Sequence, residues 1–210
     1  MEEKENNSTI ILDNGTSCIK AGFAGEQPQI VIPTIVGNSK FGNSFLIGND
    51  AFNKRDELQL NNPMERGIIK NWDEIEKIWN HIFTDELKII PKSNNILLTE
   101  PIYNPKEQKE KEAEYIFETF NFSKLLIEIQ PFLSLITSAK LSGFVIDIGG
   151  SMIQMAPIIE GQFIRYKAER MDFGGLDITE YLKNLLNNLG ILSSTKVDKY
   201  VYKGIKEKSC

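Results

Sequence analysis

Hydrophobic positions along the chain alternate between two kinds of spacing, and the switches mark its elements. Ile10, Ile11 and Leu12 form an apolar run closed by Asp13-Asn14-Gly15, which predicts a buried strand over Ser8 to Asp13. A second strand is expected from Cys18 to Ala24, with Gly15 supplying the turn. A third, Gln29 to Ile32, is stopped by Pro33. From Trp72 to Leu87 the spacing becomes helical, with Ile75, Ile78, Trp79, Ile82 and Phe83 on one face.

Ile96 to Thr99 reads as a strand, and Asn104-Pro105 opens a helix. That helix has a solvated first half, Lys106 to Glu112, and a second half packing through Tyr115, Ile116, Phe117 and Phe120. Leu125 to Ile129 is the next strand, and Gln130-Pro131 starts a helix toward Lys140. Strands are expected at Gly143–Asp147, Met152–Ile158 and Phe163–Lys167. Asp177 and Glu180 resemble a capping box. The helix they open would bury Tyr181, Leu182, Leu185, Leu186 and Leu189 and end at Gly190. A last helix is expected from near Thr195 to Cys210. Strands separated by helices predict an α/β fold.

One segment occurs twice. Ile11 to Lys20 lies over Val145 to Gln154: both read apolar, apolar, Asp, any residue, Gly, small, Ser, any residue, Ile, polar. Each copy reads as strand, tight turn, strand. A glycine turn exposes backbone N–H groups to which phosphate oxygens can come close. The hydroxyls of Thr16, Ser17 and Ser151 add donors. Asp13 and Asp147, at strand ends, could serve a phosphate only through a cation, and Mg²⁺ held through its waters suits them. Lys20 adds a positive charge. For a single copy, an ordinary hairpin turn explains Asp-x-Gly as well; two copies in one register favour a pair of facing phosphate loops.

Composition narrows the classes. A net charge of −5 over 210 residues argues against a nucleic-acid binder. No apolar run is long enough to span a membrane, and the charged start Met1 to Asn7 does not read as a secretory signal. Cys18 and Cys210 suggest neither a disulfide framework nor a zinc site. His81, the one histidine, reads as a helix-surface residue. A soluble, reduced, intracellular protein is the expectation.

The stretch Asp13 to Glu26, with Asp-Asn-Gly-Thr, Lys20 and Ala-Gly-Phe-Ala-Gly-Glu, resembles the first phosphate loop of actins and actin-related proteins. Further matches follow in family order: Pro33 to Gly37, Asn71-Trp72-Asp73 with Glu76 to Trp79, Leu97 to Pro101, Phe117 to Asn121, Leu133 to Leu135, Gly175 to Leu182, and Ile205 to Lys208. The resemblance implies the fold shared by actins, hexokinase-type sugar kinases and heat-shock ATPases. It implies a first domain over residues 1–140, with a small shortened insert at about 34–69, and the start of a truncated second domain over 141–210. It implies ATP or ADP with Mg²⁺, with Gly15, Thr16, Ser17, Lys20, Gly149, Gly150 and Ser151 on the phosphates and Asp13 and Asp147 on the metal through water. Gln130 matches the glutamine that positions the attacking water, and Lys206 and Glu207 match contacts to base and ribose.

The departures are equally informative. Actins carry Gly-Asp-Gly-Val-Thr-His in the second phosphate loop, where this chain has Gly149-Gly150-Ser151-Met152-Ile153-Gln154. Loss of that acidic residue and histidine bears on hydrolysis more than on binding. The loop between Gly37 and Gly48 is much shorter than the one making longitudinal filament contacts, which argues against an ordinary actin-type filament. Arg66 stands where actins carry a histidine. The expectation is a cytoplasmic, cytoskeletal, ATP/Mg-binding relative whose partners are other cytoskeletal or actin-related proteins and whose hydrolysis is slow or absent. The alternatives are a truncated interaction module that binds no nucleotide and, more remotely, an ATPase of the sugar-kinase or heat-shock type.

Overall fold

The computed structural model describes residues 8–40, 42, 44–191 and 199–209. Its strands are β1 (Thr9–Asn14), β2 (Cys18–Phe23), β3 (Ile30–Pro33), β4 (Val36–Ser39), β5 (Phe45–Ile47), β6 (Leu58–Asn61), β7 (Met64–Glu65), β8 (Ile68–Ile69), β9 (Asn95–Glu100), β10 (Lys124–Ile129), β11 (Gly143–Ile148), β12 (Ile153–Ile159), β13 (Gln162–Phe163) and β14 (Glu169–Met171). Its α-helices are α1 (Gly48–Asn53), α2 (Trp72–Asn80), α3 (Lys106–Glu114), α4 (Gln130–Thr137), α5 (Gly175–Asn188) and α6 (Lys199–Ser209).

A five-stranded sheet runs in the order β10-β9-β1-β2-β3. The β1–β2 and β2–β3 pairs are antiparallel, as hairpins require, whereas β9 and β10 join in parallel through helical crossovers. Ile10 and Leu12 on β1 and Ile96 and Leu98 on β9 are essentially sealed from water and pack with Ile75, Ile78, Trp79, Ile82 and Phe83. Full burial of each such side chain stabilises by about 1.5–3 kcal/mol, so this sheet–helix interface is the main core. Asn71 caps α2 by accepting from Glu74 N. The helical spacing continues past Asn80, but His81–Glu86 widens to π spacing, and so does Tyr115–Thr119 after α3.

The second sheet has β11 and β12 antiparallel, with β13 and β14 both on β12. Helix α4 packs against β10, β11 and β12 and so joins the two sheets. Strands β4, β5 and β6 make a small third sheet after β3, and β7–β8 is a separate two-stranded hairpin.

Several expectations change. Phe163 to Lys167 is not one strand: β13 is two residues long, Arg165–Lys167 is a single 3₁₀ turn, and the pairing resumes at β14. Helix α5 begins at Gly175 with Gly174 as its cap, and Asp177 sits at N3, accepting from Gly174 N; Glu180 instead pairs with Lys183. Leu182 and Leu186 are half-buried, but Tyr181, Leu185 and Leu189 are exposed, because nothing among the described residues covers that stripe. In α3, Gln108 and Glu112 face inward rather than to water, and Phe117 beyond it is exposed. The expected start of the last helix, Thr195, and its end, Cys210, lie outside the described residues, as do Met1 to Asn7.

Candidate functional site

The repeated segments fold alike. Asp13 pairs with Lys20 across the β1–β2 hairpin, and Asp147 pairs with Gln154 across the β11–β12 hairpin. The turns are closed by Gly15 N donating to Asp13 O (3.1 Å) and Gly149 N donating to Met152 O (2.9 Å). The N–H groups of Thr16, Ser17, Gly150 and Ser151 take no part in those closing bonds and lie at the apices. A β-carbon on Gly15 would sit 2.5 Å from Cys18 O, so the first turn excludes one. The loops abut: a β-carbon on Gly150 would come within 2.6 Å of Ser17 Cβ.

A cleft of about 510 Å³ opens between the hairpins. It is lined by the expected Asp13, Gly15, Thr16, Ser17, Lys20, Gln130, Asp147, Gly149, Gly150 and Ser151, together with Thr99 and Gln154. Lys206 and Glu207 do not line this cleft. Lys206 Nζ donates to Gly175 O (2.6 Å) at the start of α5, and Glu207 pairs with Lys203 on its own helix (3.9 Å).

The polar side chains at the floor form one connected chain. Asp13 Oδ1 accepts from Thr99 Oγ1 (2.6 Å) and Gln130 Nε2 (3.1 Å), and Asp13 Oδ2 accepts from Lys20 Nζ (3.1 Å). Gln130 Oε1 accepts from Gln154 Nε2 (2.8 Å), which also donates to Asp147 Oδ2 (2.9 Å). Lys20 is held more basic than usual by the charge of Asp13. Asp147 differs: burial raises its pKa, the Asp13 charge adds to the rise, and the Gln154 hydrogen bond and Lys20 oppose it. Its partner in the hairpin is a neutral amide, so Asp147 is the carboxylate with most to gain from a bound cation. This donor set, carboxylates with amide and hydroxyl oxygens, suits a hard ion such as Mg²⁺.

The β7–β8 tip reaches both loops. Gly67 N donates to Thr16 Oγ1 (2.8 Å), while Arg66 donates to Ser151 O (2.7 Å) and grips Asp177 with two nitrogens, each at 2.6 Å. Thr16 Oγ1 therefore accepts a hydrogen bond from the backbone of the β7–β8 tip. Three contributors are not expected from sequence at this site: Thr99, Arg66 and Gln154. Gln154 is within reach of sequence reasoning, since the repeat sets it opposite Asp147 as Lys20 is set opposite Asp13.

A family model described as Actin matches residues 4–209. The chain belongs to the actin family. It therefore has the actin-like α/β fold. Among curated relatives it is 36% identical, over 217 aligned positions, to "Actin-related protein 2" of Arabidopsis thaliana, an alignment covering 98% of this chain and 56% of the relative. The chain thus spans a little over half the length of that relative. Among the described residues, no helix is long and apolar enough to cross a membrane, and no cluster of three metal-ligating acidic, histidine or cysteine side chains occurs.

Proposed function

We propose that this actin-family chain binds a nucleoside di- or triphosphate with Mg²⁺ between the β1–β2 and β11–β12 hairpins. The observation that carries this reading is the register-matched pair of loops, with Asp13 and Asp147 at equivalent strand ends beside one cleft. The apical N–H groups of both loops, the hydroxyls of Ser17 and Ser151 and the Lys20 ammonium would hold phosphate oxygens. Asp147 and Asp13 would hold the metal through its waters, and the metal supplies neutralisation of phosphate charge. Gln130 borders the same space. Hydrolysis is slow or absent in this reading, because Gly150 and Gln154 stand at the cleft where the resembled family carries an acidic residue and a histidine. In this reading residues 1–140, with the insert at 34–69, form one domain and residues from 141 the beginning of another.

The role follows as that of a cytoskeletal or scaffolding component in the cytoplasm that associates with other actin-related proteins. ATP·Mg should raise the melting temperature of the chain, and Asp147→Ala and Asp13→Ala should each remove the rise. An unchanged melting temperature in the intact protein at saturating ATP·Mg would sink the reading.

A second reading, a module that works by binding a partner without nucleotide, is favoured by a specific observation. Phe144, Ile146 and Ile148 leave one side of β11 exposed, and Tyr181, Leu185 and Leu189 do the same along α5. Contiguous apolar surface of this kind marks interaction sites. Scanning calorimetry separates the readings: a compact two-state transition of the lone chain, shifted by ATP·Mg, counts against the second.

A further inference from the structure

Gln154 is the most deeply buried polar side chain of the cleft floor, at 1% exposure. Its amide has no freedom of assignment. Its Oε1 accepts from Ile102 N (2.7 Å), a backbone group that can only donate. Its Nε2 must therefore face Asp147 Oδ2 and Gln130 Oε1. That in turn fixes Gln130, whose Nε2 is left to donate to Asp13 Oδ1 and Thr99 Oγ1. The backbone amide after β9 thus anchors, through two side-chain amides in series, the Oε1 end of Gln130, while Asp13 Oδ1 anchors its Nε2 end.

The internal repeat sharpens the point. Lys20 and Gln154 occupy equivalent register positions, opposite Asp13 and Asp147. Lys20 neutralises its aspartate. Gln154 spares the charge of Asp147 and uses its second donor proton on Gln130. The two hairpins therefore differ at one paired position: one has a fixed cation there, the other an uncharged strut.

We infer that Gln154 is the positioning residue for Gln130, fixing its amide with Nε2 toward Asp13 and Oε1 away from it. Without Gln154, the Gln130 amide would keep its Nε2 contacts to Asp13 Oδ1 and Thr99 Oγ1 but lose the donor to Oε1, so it would be held from one end instead of both. In a nucleotide-loaded cleft this orientation presents a donor, rather than a proton acceptor, on the Asp13 side. That consequence alone rests on the nucleotide reading.

The test uses the full chain and the side-chain amide signals of Gln130 in ¹⁵N-resolved NMR, assigned by their disappearance in Gln130→Glu. Gln154→Met keeps length and apolar packing but donates nothing. Gln154→Leu also donates nothing and brings no charge beside Asp147, so it covers the case in which Gln154→Met fails to fold. In both, the Gln130 amide protons should shift and lose about five- to tenfold of their exchange protection, the equivalent of about one neutral hydrogen bond. Backbone signals of the β1–β2 hairpin should keep their positions. Gln130 side-chain signals unchanged in a folded variant would overturn the inference. ATP·Mg titrated into the wild-type sample judges the nucleotide reading separately: no response at either hairpin defeats that reading, while the positioning role of Gln154 still stands or falls on the amide signals.

Discussion

Arg66 and Asp177 meet in a two-pronged ion pair, with both guanidinium–carboxylate distances 2.6 Å, and the pair ties the β7–β8 tip to the first turn of α5. The same guanidinium holds the Ser151 carbonyl in the turn between β11 and β12. Two parallel charge-assisted bonds fix direction as well as proximity. The Arg66 hydrogen bonds, aided by Gly174 N, hold the Asp177 carboxyl down at about 2, from an ordinary value of 3.8.

The sign of the pH effect follows from that depression. The stability Asp177 contributes is fully present above its unfolded value of 3.8 and is lost as pH falls through about 2. Denaturant unfolding of Asp177→Asn should show a loss on the order of 2 kcal/mol at neutral pH, and a weaker dependence on pH between 4 and 2 than wild type. Parallel curves for the two proteins would mean that the pair adds no net stability.

Glu112 predicts a slope of the opposite sign. Burial, with the Glu100 charge next, pushes its pKa up to about 8 against the pull of Gln108 and Lys109. The folded protein holds the proton more tightly than the unfolded chain. The resulting stability is therefore complete below the unfolded value of 4.5 and drains away as pH rises toward 8. The total is roughly 3–5 kcal/mol at about 1.4 kcal/mol per unit. Urea unfolding of Glu112→Met should give a flatter profile and a more stable protein at pH 8; a wild-type profile already flat from pH 5 to 8 would show that Glu112 is solvated.

Lys20 touches Asp13 and stands at the mouth of the cleft. Lys20→Met leaves Asp13 with only its neutral donors, Thr99 and Gln130. Titration with a fluorescent ATP analogue should show affinity lower by about tenfold, in keeping with loss of one charged hydrogen bond. Equal affinities would mean that the ammonium serves Asp13 alone.

Gly150 and Ser17 test the fit of the two loops. A methyl at Gly150 meets Ser17 Cβ at 2.6 Å and Ser17 Oγ at 3.2 Å. Gly150→Ala should destabilise by about 1–3 kcal/mol through overpacking. Adding Ser17→Gly should recover most of that loss, which thermal melts of the single and double variants would register. Additive losses would mean the loops are not in contact in solution.

Much of this architecture is legible in sequence, for identifiable reasons. The β1–β2 and β11–β12 hairpins announce themselves because strand period, glycine turn and terminal aspartate recur together, and the copies fold in the register the alignment gives. Helix α2 is equally plain, since Ile75, Ile78 and Trp79 are spaced to meet the sheet. What sequence does not supply is the partner of a polar side chain distant along the chain. Thr99 reaches Asp13 across 86 positions and Arg66 reaches Asp177 across 111, and no local pattern encodes either. Helix α5 misleads for the opposite reason: its leucine spacing fits burial, but a periodic stripe states that a helix has an apolar face and not what covers it. Glu112 misleads likewise, because a run of lysines and glutamates reads as solvated whichever way one carboxylate turns.

The exposed row Phe144, Ile146 and Ile148 on β11 has a kinetic side. Folding of a lone chain is first order, whereas apolar strands meeting each other is second order, so the two compete in proportion to concentration. Diluting the chain tenfold during refolding should favour the native monomer without altering one contact in it.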